Sequence, residues 1–310
     1  MTLNQLRTFL AVAETGSVRA AAEQLVVTQA AVSASLAALQ KSLGLPLLQP
    51  DGRGLRLTGA GRAYADYVRR ILGLLDEAGL AARAAADPER GELRIAAVTT
   101  AAEQIVPGLL GGFRSRHPRM GVRLEAGNRE RVRALLDRHQ VDLVLGGRPA
   151  PGWDVQVLAV RPHQLIVVAS PALAEEAVPV GGGGPPSRID RAWLARQPWL
   201  LREPGSGTRA ATDALLTELD ITPPTLVVGS NGAIRESAGV GLGVTLVSRD
   251  AVAAELADGR LCELPVPGTP LHRDWYLVAH PGQLPPAGER LLEHVLSQGG
   301  FRAPTINPDI

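Results

Sequence analysis

The chain has one cysteine, Cys262, in 310 residues. A single thiol excludes an internal disulfide and any cysteine-based metal cluster, and a buried, inert role is expected for it. Aromatic residues make up only 3%, so the cores must be built from Leu, Val and Ala. No run of about 20 apolar residues occurs, which removes the usual signal for a membrane-spanning helix. The start, Met1-Thr2-Leu3-Asn4-Gln5-Leu6, lacks the basic segment and apolar run of a secretory leader, and a cytoplasmic location is expected. The net charge is +1. The chain is therefore no uniformly basic nucleic-acid coat, and any DNA affinity must come from a local patch.

Catalytic chemistry is also scarce. The six histidines (His117, His139, His163, His272, His280 and His294) show no metal-ligand spacing. His117, His163 and His280 adjoin prolines and read as solvated turn residues. Gly205-Ser206-Gly207-Thr208 lacks the Gly-Lys-Ser/Thr of a phosphate-binding loop. It also lacks the Gly-x-Ser-x-Gly pattern of a nucleophile elbow. No enzyme, no metal and no resident cofactor is expected.

What is present begins with Ser17 to Leu43. Ser17 can cap a short helix whose apolar positions are Val18, Ala21, Ala22 and Leu25. Val26 and Val27 break the pattern, and Thr28 can cap a second helix. Val32, Leu36, Leu39 and Leu43 form one face of that helix, which Gly44 ends. Two short helices joined by a tight turn make a helix-turn-helix, whose second helix fits the DNA major groove. Its outward side carries Gln29, Ser33 and Gln40, residue types that bond base edges. The competing reading of this stretch alone is an ordinary helical hairpin in a core.

A preceding helix is marked by Leu3, Leu6, Phe9, Leu10 and Ala13. After the pair, two apolar runs flank Asp51-Gly52 and predict a hairpin, the wing. Through Arg62 there are six basic residues and three acids. Arg53 and Arg56 suit phosphate contacts, which position the protein without reading sequence. The candidate DNA-contacting set is Ser17, Arg19, Thr28, Gln29, Ala30, Ser33, Ser35, Gln40, Arg53 and Arg56.

Thr58 can cap a long helix running to about Ala86. Ala60, Tyr64, Tyr67, Ile71, Leu74, Ala78, Ala81 and Ala85 alternate spacings of four and three, the heptad of a coiled coil. The expected partner is the same helix of a second copy, which would present two recognition helices to two half-sites.

Beyond the hinge Asp87 to Gly91 the pattern becomes strand, helix, strand, helix, strand, which predicts a parallel sheet with flanking helices. Strands are expected at Glu92–Val98, Gly121–Ala126, Val141–Leu145, Gln164–Ala169, Trp199–Arg202, Leu226–Gly229, Gly243–Val247 and Trp275–Ala279. Helices are expected from Thr99 to about His117, over Arg129–Arg138, from Arg209 to Leu219, from Ser230, over Ala251–Ala257 and over Pro285–Ser297. The Gly/Pro-rich stretch Gly181 to Pro186 reads as a flexible loop, and the tail from Gly300 as disordered. Ligands of such sheets sit outside the carboxyl ends of the strands. Thr99-Thr100, Gly205 to Thr208 and Ser230-Asn231 fall there, each joining a strand to a helix start, where free N–H groups suit anions. Any one of these could be a mere helix cap; three together favour a ligand site. Arg148, Arg202 and Arg209 could add charge. The candidate set is Thr99, Thr100, Gly147, Arg148, Arg202, Ser206, Gly207, Thr208, Ser230 and Asn231.

The order of parts and several motifs resemble the LysR-type transcriptional regulators. The motifs are Thr28-Gln29-x-Ala31-Val32-Ser33, Leu39-Gln40-x-x-Leu43-Gly44, Leu57-Thr58-x-Ala60-Gly61, Val141 to Leu145, Ser230-Asn231 and Gly239-x-Gly241-Leu242-Gly243. The resemblance implies an α/β protein with an N-terminal all-α winged helix-turn-helix over 1–58. A linker and dimerisation helix with its hinge would follow over 59–90. A two-lobed effector domain like periplasmic binding proteins would fill 91–299, with lobe I at 91–161 and 267–299 and lobe II at 162–266. It further implies double-stranded promoter DNA as partner, homodimers that pair into homotetramers, and RNA polymerase as a further contact. Arg202 to Arg209 with Gly147-Arg148-Pro149 is similar to a subgroup that regulates carbon-fixation operons and sulfur assimilation and senses small anionic metabolites. Where the family usually has Phe-x-Arg, this chain has Leu48-Gln49-Pro50, which removes a phosphate contact before the wing. The family's common Leu-Glu is Leu39-Gln40 here. The rival reading is a solute-binding protein of the periplasmic-binding fold without a DNA role; a second rival is an enzyme on that fold.

Overall fold

The computed structural model describes the chain except residues 53, 88, 90, 178–188, 283, 299 and 305–310. Its contacts divide into two units, Met1–Ala86 with Asp137–Gln140, and Asp87–Leu136 with Val141–Ile310. The stretch Gly181 to Pro186 lies outside the described residues.

The first unit opens with α1 (Leu3–Thr15), started by a reciprocal Thr2–Gln5 capping box and stopped by Gly16 at φ +66°. Ser17 caps α2 (Val18–Leu25) by accepting from the Ala20 N–H, and Thr28 caps α3 (Gln29–Leu43) by accepting from the Ala31 N–H. The axes of α2 and α3 bend by 108°, within the range of a DNA-binding helix-turn-helix. Phe9, Val12, Ala21, Val32, Leu36, Leu39 and Leu47 make the core, with Val18, Leu25 and Leu43 packed at its margin. Strands β1 (Leu48–Asp51) and β2 (Gly54–Leu57) pair antiparallel as the expected wing. Leu47 belongs to the core rather than to the strand.

Helix α4 (Gly59–Ala86) begins where Thr58 Oγ1 accepts from the Gly61 N–H at 2.9 Å. A Cβ on Gly61 would lie 1.9 Å from the Leu47 carbonyl oxygen, so only glycine lets this turn press against the chain entering the wing. Ala65 and Val68 face the core. Tyr67, Ile71 and Leu74 stay 64%, 42% and 47% exposed. Tyr64 departs from the expected seam, since it is half-buried with its ring 5.5 Å from that of Phe9.

The second unit is built on a seven-stranded sheet. In chain order come β3 (Glu92–Val98), α5 (Thr99–Gln104), α6 (Val106–Arg116), β4 (Gly121–Gly127), α7 (Arg129–Asp137), β5 (Leu143–Gly146), β6 (Gln156–Ala169) and α8 (Pro171–Glu176). Then follow α9 (Arg191–Arg196), β7 (Trp199–Leu201), α10 (Gly207–Glu218), β8 (Thr225–Val227), α11 (Asn231–Gly239) and β9 (Thr245–Ser248). Last come α12 (Ala253–Ala257), β10 (Cys262–Leu264), β11 (Leu271–Ala279) and α13 (Pro286–Gln298). The sheet order is β10-β6-β11-β5-β3-β4, with β9 also on β6. The expected parallel part is present, as β3 pairs parallel with both β4 and β5.

Strand β6 pairs with β11 from Gln156 to Leu165 and with β9 and β10 from Leu165 to Ala169. Its first half therefore lies with the core of Leu93, Ile95, Phe113, Leu143, Leu145 and Leu291. Its second half lies with the core of Trp199, Leu215, Val244 and Leu246. Inside the first lobe, Arg94 and Asp142 form a buried ion pair at 2.5 Å. The Arg94 N–H also donates to Asp142 Oδ2 at 3.0 Å.

Several expectations need correction. Strand β6 starts at Gln156, not Gln164. Arg161-Pro162-His163 reads as a turn, yet beside Pro162 the strand pairs with β11 alone, and a proline is tolerated where one side of a strand is unpaired. Strand β11 starts at Leu271 rather than Trp275, and α8, α9 and β10 have no counterpart among the expected elements. The helix expected to run unbroken from Thr99 is two, parted at Ile105. Cys262 is half-buried. The start of the expected tail is not free: Phe301 is 6% exposed in the first-lobe core, and Arg302 exchanges backbone hydrogen bonds with Val160, while residues 305–310 lie outside the described residues. Phe301→Ala is therefore expected to cost about 3–5 kcal/mol. The urea midpoint should fall at constant slope; an unchanged midpoint would remove Phe301 from the core.

Candidate functional site

In the first unit, α3 exposes Gln29, Ala30 and Ser33 on one side, while Ser35 is half-buried. Thr28 and Ser17 are helix caps. Arg19 pairs with Glu23 at 3.0 Å, but both are well exposed, and such a pair costs little to exchange for a phosphate. Arg56 is exposed on β2, 3.8 Å from Asp51. Arg53 lies outside the described residues. Gln40 does not match its expected role. Its Oε1 accepts from the N–H groups of Leu47 and Leu48 at 2.8 and 3.2 Å, fastening the end of α3 to the entry of the wing.

In the second unit a cavity of about 1470 Å³ lies between the ends of β3, β5 and β7 and over β6 and β11. Thr99, Thr100, Gly147, Arg148, Arg202, Ser206, Gly207 and Thr208 all line it. Ser206 stands at the N-terminus of α10, yet its hydroxyl makes no capping bond. It is left available to a ligand beside the unpaired N–H groups of the first helical turn.

Three expected ligands have other duties. The Arg202 guanidinium, 5% exposed, is held bidentate by Glu203 at 2.8 and 2.9 Å and also donates to Asn231 Oδ1. That pairing holds the Glu203 carboxyl below the usual carboxylate range, so Arg202 brings no uncompensated charge. Asn231 is buried beneath the cleft. Its Nδ2 donates to Thr100 Oγ1 at 3.2 Å and to Glu103 Oε2 at 3.0 Å. Ser230 caps α11 through the Ala233 N–H, and neither it nor Asn231 belongs to the cavity lining.

Other lining residues escape a reading of the sequence: Asn128, Arg129, Trp153, His163, Ser248 and His272 to Tyr276. Arg129 donates to the Arg148 carbonyl. His163 is not a turn residue but sits in β6, stacked on Trp275 with ring centroids 4.2 Å apart and planes 14° apart. Burial pushes it down to about 4, against the opposing pull of Asp250 and Asp274, with Arg273 and Arg161 adding to the drop. His280 is also half-buried, its Nε2 2.6 Å from the Leu136 carbonyl oxygen. The missed signal lay in a short apolar run: Val157 to Val160 reads as strand, and Pro162 hides its continuation.

The description "Bacterial regulatory helix-turn-helix protein, lysR family" matches residues 3–62, and "LysR substrate binding domain" matches residues 86–300. The chain belongs to the LysR family of transcriptional regulators. It is 36% identical over 312 residues to the HTH-type transcriptional regulator CbbR of Xanthobacter flavus, covering 98% of this chain and 90% of that one. The crystal structure of full-length CbnR with its target DNA superposes with a TM-score of 0.68 at 25% identity, covering 96% of this chain and 99% of that one. The regulatory domain of CcmR from Synechocystis PCC6803 in complex with 2-PG superposes with a TM-score of 0.58 at 27% identity, covering 66% of this chain and 96% of that one.

This LysR-family chain is thus a DNA-binding transcriptional regulator with an effector-binding domain. The readings as an enzyme and as a solute-binding protein without a DNA role are set aside by these similarities.

Two outcomes follow for the regulator. Gln40→Ala leaves two backbone N–H groups without their acceptor, a cost of about 1–3 kcal/mol where they are buried. Thermal unfolding should show this loss, and Gln29→Ala should not. The second concerns His163, whose folded pKa lies below its ordinary 6.5. The unfolded chain binds a proton there that the folded chain refuses, so stability falls as pH drops through 6.5 toward 4. His163→Gln should flatten part of that slope in urea titrations across this range; an unaltered slope would place the lost protons elsewhere.

Proposed function

We propose that the protein is a cytoplasmic homodimer, assembling further into a dimer of dimers, that binds promoter DNA and answers to a small anionic metabolite. The exposed seam of Tyr67, Ile71 and Leu74 on α4 supports the dimer, since a strand of apolar side chains at heptad spacing is covered by a like helix. Two-fold symmetry then presents two copies of α3 to two half-sites. Gln29, Ala30 and Ser33 read base edges, and Arg56 and Arg19 hold phosphates. RNA polymerase is the natural further partner at a promoter.

The observation that carries the anionic effector is the cavity itself. It joins the unsatisfied N-terminus of α10, the free hydroxyl of Ser206 and the side chains of Thr100, Thr208, Arg129 and Arg148. The CcmR regulatory domain, similar to this chain over its effector domain, is described with 2-PG bound. A compound of that kind fits a cleft rich in donors. Binding it favours the closed form of the two lobes, and differential affinity for that form shifts the population of DNA-binding states.

A thermal-shift titration with 2-PG tests the effector reading. At about a hundred times its dissociation constant a ligand adds roughly 2.7 kcal/mol of stability, and Thr208→Ala should abolish the shift. A shift that survives this change would move the ligand elsewhere. For DNA, anisotropy titrations should show Gln29→Ala and Ser33→Ala weakening operator binding with little effect on random DNA. Arg56→Ala should weaken both and reduce the salt slope by about one. Equal losses on both DNAs for Gln29→Ala and Ser33→Ala would end the base-contact assignment.

A further inference from the structure

Thr99 and Thr100 are neighbours on the cavity wall, but their hydroxyls are committed in opposite senses. Thr99 Oγ1 lies 3.2 Å from the Gly127 carbonyl oxygen. A carbonyl only accepts, so the Thr99 hydrogen is engaged there and its oxygen keeps lone pairs. Thr100 Oγ1 instead accepts from Asn231 Nδ2. The orientation of that amide is set by its neighbours. The Arg202 guanidinium can only donate and faces Oδ1, which leaves Nδ2 to face the Glu103 carboxylate. One lone pair of Thr100 is taken by the amide and its hydrogen remains for an acceptor, and none among the described residues takes it.

We propose that this pair reads the anion with opposite polarity, Thr100 as donor and Thr99 as acceptor. The effector must then carry an O–H group on or beside its anionic group. The proposal rests on the anion-sensing reading above and names its ligand class: a protonated oxyanion or a hydroxylated acid. An oxyanion with acceptors only would set its lone pairs against those of Thr99. Asn231 is the positioning residue, because its amide, oriented by Arg202 and Glu103, fixes the sense of the Thr100 hydroxyl.

Inorganic phosphate and inorganic sulfate separate the two cases. They are alike in shape, but near neutral pH phosphate carries at least one P–O–H and sulfate carries none. Calorimetric titration of the full-length protein at matched ionic strength should show phosphate binding roughly tenfold more tightly, the ratio expected when one hydrogen bond is left unmet. Thr99→Val should abolish the preference by weakening phosphate, with sulfate bound no more weakly than before, and Thr99→Ser should restore the preference. Thr100→Val should weaken both anions.

Equal affinities in the unaltered protein would mean that Thr99 turns its hydrogen from Gly127 to the anion, and would overturn the inference alone. The inference also falls, by itself, if Thr99→Val weakens both anions alike. If neither anion binds, the anion-sensing reading falls as well, and this inference with it.

Discussion

One antiparallel ladder is shared by both lobes of the effector domain. Strand β6 is fourteen residues long, and its register passes from β11 to β9 and β10 within one continuous strand. Backbone hydrogen bonds along a strand cannot be dropped inside a protein without a cost for each buried group left unpaired. The lobes are therefore built as two cores on one ladder, and the space between the ends of their other strands becomes the cleft. His163, Leu165 and Trp275 contribute to that cleft from the strands that join the lobes.

Across the cleft runs one polar network. Glu203, Arg202 and Asn231 from the second lobe meet Thr100 and Glu103 from the first. A buried guanidinium is costly unless paired and hydrogen-bonded, and here its charge is met by a carboxylate and one further N–H by an amide. Ser206, Thr208, Arg129, Arg148, the Thr100 hydroxyl and the helix start are further donors that line the cavity. Arg202, which reads from the sequence as an anion ligand, lines the cavity and also holds the Asn231 amide.

Much of the DNA-binding half was legible in advance. Its helices are short, two of them capped by Ser17 and Thr28, and stopped by Gly16 and Gly44, and each of these signals acts within four residues. The same locality explains why Thr58 marks the start of α4. The errors fall where a residue's duty is set by distant partners. Gln40 looks like a base reader until Leu47 and Leu48 are found on its carbonyl oxygen. His163 looks like a turn residue because Pro162 precedes it. Phe301 looks like a loose end because its neighbours in the core come from far earlier in the chain.

The sequence by itself determined the order of parts, the winged helix-turn-helix, the amphipathic linker helix and the three hydroxyl-bearing segments at strand ends. Those features rest on periodicity, caps and turn residues, which are local. Tertiary structure alone decided which of the candidate residues line the cavity. It joined Thr99, Thr100, Arg148, Arg202, Ser206 and Thr208 in one cavity, left Asn231 out of the lining as a buried partner of Arg202, and added Trp275 and His163. It also decided the direction of each hydroxyl. A threonine can donate or accept, and only the carbonyl of Gly127 and the amide of Asn231, each brought from another segment, fix which it does.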